Sequence, residues 1–132
     1  MQDVISKLRE KAVEASKKAY APYSGFKIGA SILTTTNKIY SGQNIENSSY
    51  GATVCAERVA IFNAISDGEI RIKKIYIHSK TGWPPCGLCL QVISEFAEKD
   101  LEVIIGDENG VKKKMPFSKM FPLAFTPDKL KE

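Results

Sequence analysis

Residues 74–105, KIYIHSKTGWPPCGLCLQVISEFAEKDLEVII, form the stretch that most strongly constrains the fold. Residues 74–78 predict a strand, and residues 101–105 form the nearly continuous apolar run expected of a strand buried on both faces. Between them, residues 81–85 predict a rigid loop that leads into a helix running from Cys86 to about Lys99. Parallel strands need a crossover of about this length, so the stretch predicts a strand–helix–strand unit.

The flanking sequence adds elements of both kinds. Residues 3–18 place apolar side chains at steps of three and four and predict an amphipathic helix that Asp3 can cap. Residues 26–34 and 38–43 predict a hairpin, and residues 54–66 predict a largely buried helix. Further predicted elements are an edge strand at 111–115 and one helical turn at 117–121. This alternation favours a mixed sheet covered by helices.

Composition limits the class of protein. The chain has 132 residues, of which 26% are charged and 43% hydrophobic, with a mean hydropathy of -0.18. We expect one domain spanning residues 1–132, and not a collagen, a coiled coil or a disordered chain. No apolar run approaches the roughly 18 residues of a spanning helix, and the charged amino-terminal stretch has no signal-like apolar region. We therefore expect a cytoplasmic protein without membrane contact.

The charge balance does not favour nucleic acid as a partner. The net charge is +4, from 19 basic and 15 acidic residues. The run Lys112-Lys113-Lys114 is better explained as a solvated face than as a nucleic-acid site. A glycine-rich phosphate loop is also missing from the sequence, which argues against a phosphate-bearing ligand.

Three cysteines provide the main candidate for chemistry. An odd number of cysteines in a chain without a signal argues against a disulfide framework. Cys55 opens one predicted helix, and Cys86 and Cys89 open another, where unpaired N–H groups and the helix dipole favour thiolates. Three thiolates at two helix starts can share one Zn²⁺ and leave its fourth position to water, as in catalytic zinc sites.

Two residues beside Cys55 complete this hypothesis. Glu57 can take a proton from the water at the metal and deliver it to a substrate nitrogen. Three thiolates and one Zn²⁺ leave an excess negative charge, which Arg58 can offset by donating to a cysteine sulfur.

Cys-Ala-Glu ahead of Pro-Cys-x-x-Cys is close to the signature of zinc nucleobase deaminases. Together with further motifs along nearly the whole chain, it makes the sequence resemble the short-chain, homotetrameric, zinc-dependent cytidine deaminases. These motifs are Ala21-Pro22-Tyr23-Ser24 with Phe26, Asn44-Ile45-Glu46-Asn47, Cys55-Ala56-Glu57-Arg58, Pro85-Cys86-Gly87 with Cys89, Gln91-Val92-Ile93-Ser94-Glu95 and Leu123-Ala124-Phe125.

The resemblance implies a three-layer α-β-α fold, with a mixed five-stranded sheet and helices on both faces. It implies hydrolytic deamination of cytidine and deoxycytidine to uridine and deoxyuridine plus ammonia, in pyrimidine salvage. One Zn²⁺ per subunit would be held by Cys55, Cys86 and Cys89, and would supply the attacking hydroxide.

The resemblance also assigns expected roles to individual residues. Glu57 would shuttle protons, and Asn44 and Glu46 would bind the ribose hydroxyls. Phe125 would stack over the base from a neighbouring subunit, so that each site of a homotetramer is completed across an interface. The remaining substrate contacts implied are Phe26, Tyr50 and Ala56.

The chain departs from the family pattern at two positions. The family usually has Pro-Cys-Gly-Ala-Cys-Arg-Gln, whereas this chain has Leu88 and Leu90 in place of the alanine and the arginine. Without that arginine there is one positive charge fewer near the metal. More of the excess negative charge of the thiolates is therefore left for Arg58 to offset.

Other functions remain open from the residues alone. A related deaminase acting on another nucleoside analogue, or on a base in RNA, is the first alternative, although an RNA-acting enzyme is expected to be more basic. A dithiol oxidoreductase would use Cys86 and Cys89 without zinc, and a structural zinc module would need no substrate. The lone His78 is expected to be a hydrogen-bonded strand histidine. Trp83 is expected to pack its loop on the surface, with a substrate contact as the alternative.

Overall fold

The computed structural model describes residues 3–131. Its four helices are α1 (Val4–Ser16), α2 (Ala56–Ser66), α3 (Gly87–Phe96) and the single turn α4 (Phe117–Met120). Its five strands are β1 (Gly29–Thr34), β2 (Ile39–Gln43), β3 (Ile72–His78), β4 (Ala97–Asp107) and β5 (Gly110–Pro116). Short 3₁₀ turns cover Tyr50–Ala52 and Pro127–Lys131.

The five strands form one mixed sheet in the order β2-β1-β3-β4-β5. Only β3 and β4 pair in parallel, and α3 makes the crossover between them, as the strand–helix–strand stretch predicts. The other three pairs are antiparallel, and the predicted hairpin turns at Asn37, whose φ is 66°. The expected mixed five-stranded sheet is confirmed.

Helices cover both faces of this sheet. On one face, Leu8 and Ala12 of α1 pack against a cluster that includes Leu33 and Tyr76. A Cβ on Gly29 would lie 1.9 Å from the carbonyl oxygen of Ala12, so glycine is what lets α1 approach β1 so closely. The opposite face carries the larger core, to which α2, α3 and α4 all contribute. The expected three-layer arrangement is therefore present.

Two element boundaries differ from the predicted ones, because hydrogen bonds to distant residues override the local sequence pattern. The helix α3 ends at Phe96 and not near Lys99, because Ala97 already pairs with Ile72 at the start of β4. At the other end, β1 begins at Gly29 and not at Phe26. Before it, the backbone groups of Phe26 and Ile28 form hydrogen bonds with the side chain of Asn44.

The helix α2 is less completely buried than expected. Its fully buried apolar residues are Ala56, Ala60, Ile61 and Ala64. Phe62 lies on the outer side and is 44% exposed. Because the buried residues lie on one side of the helix, an apolar side chain on the opposite side stays outside the contact with the sheet.

One edge of the sheet positions the candidate site. Gly29 at the start of β1 pairs with Gln43 at the end of β2 and with His78 at the end of β3. The segment entering β1 and the segments leaving β2 and β3 therefore meet beyond this edge. Within residues 3–131, no helix combines the length and apolar character that crossing a membrane requires.

Candidate active site

Three cysteine sulfurs meet where two helices begin. Cys55 is the N-cap of α2, Cys86 is the N-cap of α3, and Cys89 lies in the first turn of α3. Within the described residues neither N-cap sulfur makes a capping hydrogen bond, so both point away from their helix ends. Cys89 is fully buried, Cys55 half-buried and Cys86 exposed, which places the cluster at the inner end of an opening.

The spacing of the sulfurs fits a tetrahedral zinc ion. The Sγ atoms of Cys55 and Cys86 are 3.7 Å apart, and those of Cys86 and Cys89 are 3.5 Å apart. All three lie within 4.8 Å of one another. Ligands about 2.3 Å from a tetrahedral Zn²⁺ would be roughly 3.8 Å apart, whereas a disulfide needs about 2.05 Å. The donor set therefore suits a metal and not a cross-link.

Arg58 lies beside this cluster, as the charge argument predicts. Its Nη2 donates to the carbonyl oxygen of Thr53 at 3.1 Å and lies 3.9 Å from the Sγ of Cys55. The Cys89 thiol and the Arg58 guanidinium hold the pKa of Cys55 well below its usual value. A thiolate is the form in which cysteine binds zinc.

Glu57 lies in the first turn of α2, next to the sulfurs. Its side chain is only 5% exposed, and it lines the same cavity as Cys55 and Cys86. Burial raises the pKa of Glu57 to about 7, and the neighbouring Cys55 charge acts in the same direction. A carboxyl group with a pKa near neutrality can both accept and return a proton.

The cavity that joins these groups has a volume of about 330 Å³. Of the predicted site residues, the structure brings six to this cavity, from the segments that meet beyond the sheet edge. They are Phe26, Asn44, Glu46, Cys55, Glu57 and Cys86. The fully buried Cys89 is not among the lining residues but completes the sulfur cluster.

Asn44 has a structural role that its sequence context did not indicate. Its Oδ1 accepts from the backbone N of Ile28 at 3.0 Å, and its Nδ2 donates to the carbonyl oxygen of Phe26 at 2.8 Å. The Asn44 backbone N also donates to the carbonyl oxygen of Ile28, at 3.2 Å, so Asn44 ties residues 26–28 to the segment after β2. Each amide atom keeps capacity for one more hydrogen bond, so Asn44 can also face a ligand.

Glu46 holds the segment before β1. Its Oε1 accepts from the backbone N of Tyr23 at 2.9 Å and of Ser24 at 3.1 Å, and its Oε2 accepts from the Ser24 hydroxyl. The Ser24 hydrogen bonds hold the pKa of Glu46 below its usual value. Glu46 is therefore an ionised acceptor in a fixed position at the cavity.

Three predicted substrate contacts lie outside this cavity. Tyr50 borders an adjoining depression with Tyr23 and Glu46, and is 76% exposed. Ala56 is fully buried in the core. Phe125 lies on the carboxy-terminal segment, which Gln91 ties down by donating from Nε2 to the Phe125 carbonyl oxygen at 3.0 Å. Its side chain is 54% exposed.

Trp83 has a larger role than packing its loop on the surface. It lines the 330 Å³ cavity and contacts the ring of Phe26. The proximity of Trp83 to Cys86 along the chain was the available signal for this placement. Sequence analysis also missed Ser24 and Thr53 as lining residues. His78 ends β3 outside the sulfur cluster, and burial lowers its pKa.

The arrangement combines three functions in one opening. A three-sulfur site can hold a metal with an open position, and a buried carboxyl group beside it can move protons. Hydrogen-bonding groups without a cation line the outer part of the cavity, as a neutral polar ligand requires.

Known proteins share this sequence and fold. Residues 2–105 match the family model described as the cytidine and deoxycytidylate deaminase zinc-binding region. Cytidine deaminase from Halalkalibacterium halodurans is 39% identical over 127 residues, which cover 95% of this chain and 96% of that protein. Blasticidin-S deaminase from Bacillus cereus is 34% identical over 109 residues, with 75% and 76% covered.

A solved structure shows the same likeness in three dimensions. The crystal structure of cytidine deaminase from Burkholderia pseudomallei superposes with a TM-score of 0.87 at 38% identity. The match covers 95% of this chain and 100% of that one. With its three-sulfur cluster and adjacent glutamate, this chain belongs to the family of zinc-dependent cytidine deaminases.

Proposed function

We propose that this protein hydrolyses cytidine and deoxycytidine to uridine and deoxyuridine, releasing ammonia, in pyrimidine salvage. The proposal rests on a single cavity. Glu57 and the cysteine cluster border it together with polar groups that suit an uncharged ligand. The relatives named above as cytidine deaminases, matched over nearly their full length, support the choice of substrate.

Cys55, Cys86 and Cys89 would hold the zinc ion. When bound, zinc lowers the pKa of water enough to supply a nucleophile at neutral pH. All other steps are assigned to side chains of this chain. Arg58 balances the excess negative charge of three thiolates through its position 3.9 Å from the Cys55 sulfur.

Glu57 carries the protons of the reaction. It accepts a proton from the attacking water and delivers it to N3 of the cytosine ring while oxygen bonds to C4. Glu57 then takes the proton of the new C4 hydroxyl and delivers it to the exocyclic amine, so that the C4–N4 bond breaks, ammonia leaves and the C4 carbonyl of uridine forms. The burial of Glu57 excludes bulk water from these transfers.

The polar outer part of the cavity orients the ribose. Asn44 and the ionised Glu46 offer hydrogen-bond groups to sugar hydroxyls, and their own backbone contacts fix them in place. Phe26 supplies an apolar surface for the base. Tyr50 and the backbone at Ala56 are the remaining proposed contacts near this end.

The working unit is proposed to be a homotetramer whose sites are shared between subunits. The exposed apolar side chains at the carboxy terminus and near Tyr50 support this, with Leu123 93% and Phe125 54% exposed. Phe125 would cover the base in a neighbouring subunit's site. Analytical ultracentrifugation measures the assembly directly, and a catalytically active monomer would contradict it. Three free cysteines support a location in the reducing cytoplasm.

The central test follows the absorbance change of cytidine on conversion to uridine. We expect Glu57→Gln to lower turnover by about 10²–10⁴-fold, because the amide cannot carry protons, while its zinc content stays at the wild-type level. Glu102→Gln makes the same change at a carboxylate on β4 that pairs with Lys74, and should leave turnover intact. Equal rates for wild type and Glu57→Gln would reject the assignment.

Two alternatives are tested with the same protein. A dithiol oxidoreductase would need neither zinc nor Cys55, yet the structure brings Cys55 within 3.7 Å of Cys86. Metal analysis separates the two, since near-zero zinc favours redox chemistry. The blasticidin-S deaminase relative makes that antibiotic a second substrate to assay beside cytidine.

A further inference from the structure

Trp83 lies between two cavities. One is the 330 Å³ cavity with Glu57 and the sulfurs, and the other is a side cavity of about 250 Å³. Three residues line both cavities, namely Phe26, Ile28 and Trp83. These three side chains therefore form the partition between the two spaces.

Two of the three partition residues, Phe26 and Trp83, are aromatic and come from distant parts of the chain. We call this pair the aromatic wall. The ring centroids of Phe26 and Trp83 are 4.8 Å apart, with the planes inclined by 67°. This edge-to-face contact is a favourable geometry for aromatic pairs. Because Phe26 precedes β1 and Trp83 follows β3, the wall closes only when the sheet is formed.

The loop that carries Trp83 is held in place from both sides. The Oγ of the buried Ser79 accepts from the backbone N of Gly82 and of Trp83, both at 2.9 Å. Lys112 of β5 donates to the carbonyl oxygen of Thr81 at 2.8 Å.

Backbone conformation adds to this restraint. Gly82 has a φ of +78°, and a Cβ there would lie 2.7 Å from the Lys112 side chain. Pro84 and Pro85 then lead into Cys86. The indole of Trp83 is thus a preorganised wall, and the same loop also places a sulfur of the metal site.

The wall adjoins the part of the substrate that reacts. Trp83, Pro84 and Cys86 all line this cavity and are close together in the chain, whereas Asn44 and Glu46 are the proposed sugar contacts. C4 of the ring has two ring neighbours, N3 and C5. Since N3 receives its proton from Glu57, C5 is on the edge turned away from that carboxyl group.

We propose that Trp83 is a specificity-determining residue that excludes substituents on C5 of the cytosine ring. The inference rests on the proposed function and extends it to the choice between nucleosides. With the indole in place, the cavity ends at the Phe26–Trp83 pair. Shortening residue 83 would join the cavity to the side cavity and make room for a group on C5.

The side cavity can accept such a group. Beyond the shared wall it is lined by the backbone and side chains of two short segments, with Lys27 and Lys80 at its rim. Although Ser79, Thr81 and the two lysines line it, most of its lining surface is apolar, so a methyl group is the smallest substituent that fits its chemistry. We therefore use 5-methylcytidine as the probe.

The experiment compares kcat/KM for cytidine and for 5-methylcytidine in wild type, Trp83→Ala and Trp83→Phe. In Trp83→Ala the ratio for 5-methylcytidine over cytidine should rise roughly 10-fold or more, since one methyl group in an apolar pocket discriminates at that level. Trp83→Phe keeps an aromatic wall and should change the ratio far less. An unchanged ratio in Trp83→Ala, or equal use of both nucleosides by wild type, would overturn the proposal.

A binding measurement keeps the test independent of turnover and of variant folding. Trp83 is the only tryptophan in the sequence, so intrinsic tryptophan fluorescence reports on this wall alone. In the zinc-loaded Glu57→Gln protein, cytidine should change the fluorescence, and 5-methylcytidine should bind roughly 10-fold more weakly. Equal affinities, or no fluorescence response to either nucleoside, would refute the role proposed for Trp83.

The two arms separate this proposal from the proposed function. If wild-type protein binds cytidine with a fluorescence change but does not deaminate it, the proposed reaction is refuted. The role proposed for Trp83 in nucleoside selection is then unaffected. Wild-type protein that deaminates cytidine while Trp83→Ala keeps the wild-type ratio would refute only the wall.

Discussion

Asn44 offers a test of how the active-site end of the sheet is held together. Its side-chain amide is 6% exposed and bonds to two backbone groups of the segment before β1. These are the N–H of Ile28, at 3.0 Å, and the carbonyl of Phe26, at 2.8 Å. Replacing Asn44 with alanine removes both bonds and leaves both backbone groups without their partner.

The magnitude follows from these two groups. A buried polar group left without a hydrogen bond costs about 1–3 kcal/mol. Phe26 is 54% exposed, so water can reach its carbonyl more readily than the N–H of Ile28, and its cost falls at the low end. We expect Asn44→Ala to lower the free energy of unfolding by about 2–4 kcal/mol in total.

Urea unfolding of the zinc-loaded protein measures this change. Protein concentration is held constant, because assembly makes apparent stability depend on it. Asn47→Ala is the matched control, since Asn47 also accepts a backbone hydrogen bond, from Ser49 at 2.9 Å, but is exposed. That variant should lose less than about 1 kcal/mol. If both variants unfold at the same urea concentration, the structural role assigned to Asn44 is wrong.

Two further predictions concern charges around the site and the sheet. Arg58→Ala should lower turnover more than zinc content, with partial recovery in Arg58→Lys; parallel losses of zinc and activity would contradict the charge-balancing role. The Tyr40 hydroxyl donates to Asp67, which raises the pKa of Tyr40 from 10.0 to about 12. This interaction stabilises the folded state below pH 10 and is lost as the pH rises toward about 12. The difference in melting temperature between wild type and Tyr40→Phe should therefore shrink across that window, and a constant difference would disprove the coupling.

Most elements were predictable because their signals are local. The periodicity of residues 3–18, the hairpin of residues 26–43 and the alternation around α3 each depend on neighbouring residues. The boundary at Ala97 was not predictable, because it is set by pairing with Ile72, a residue far away in the sequence. The exposure of Phe62 was not predictable for a similar reason, since packing against distant strands decides which side of α2 faces the sheet.

The candidate reactive groups were predictable from the sequence. Cysteines at helix starts and an adjacent glutamate carry a chemical signal in their identity and spacing, so Cys55, Glu57, Cys86 and Cys89 stood out from the chain alone. Their separations of 3.5 and 3.7 Å depend on how α2 and α3 dock against one sheet.

The environment around those groups has a different origin. The bonds from Asn44 to residues 26–28, and the contact between Phe26 and Trp83, join segments that are remote in sequence. No local pattern encodes such contacts, because each depends on the sheet bringing the start of β1 beside the ends of β2 and β3. The residue types thus indicated the proposed chemistry, whereas packing between distant segments at the sheet edge set the size and shape of the cavity.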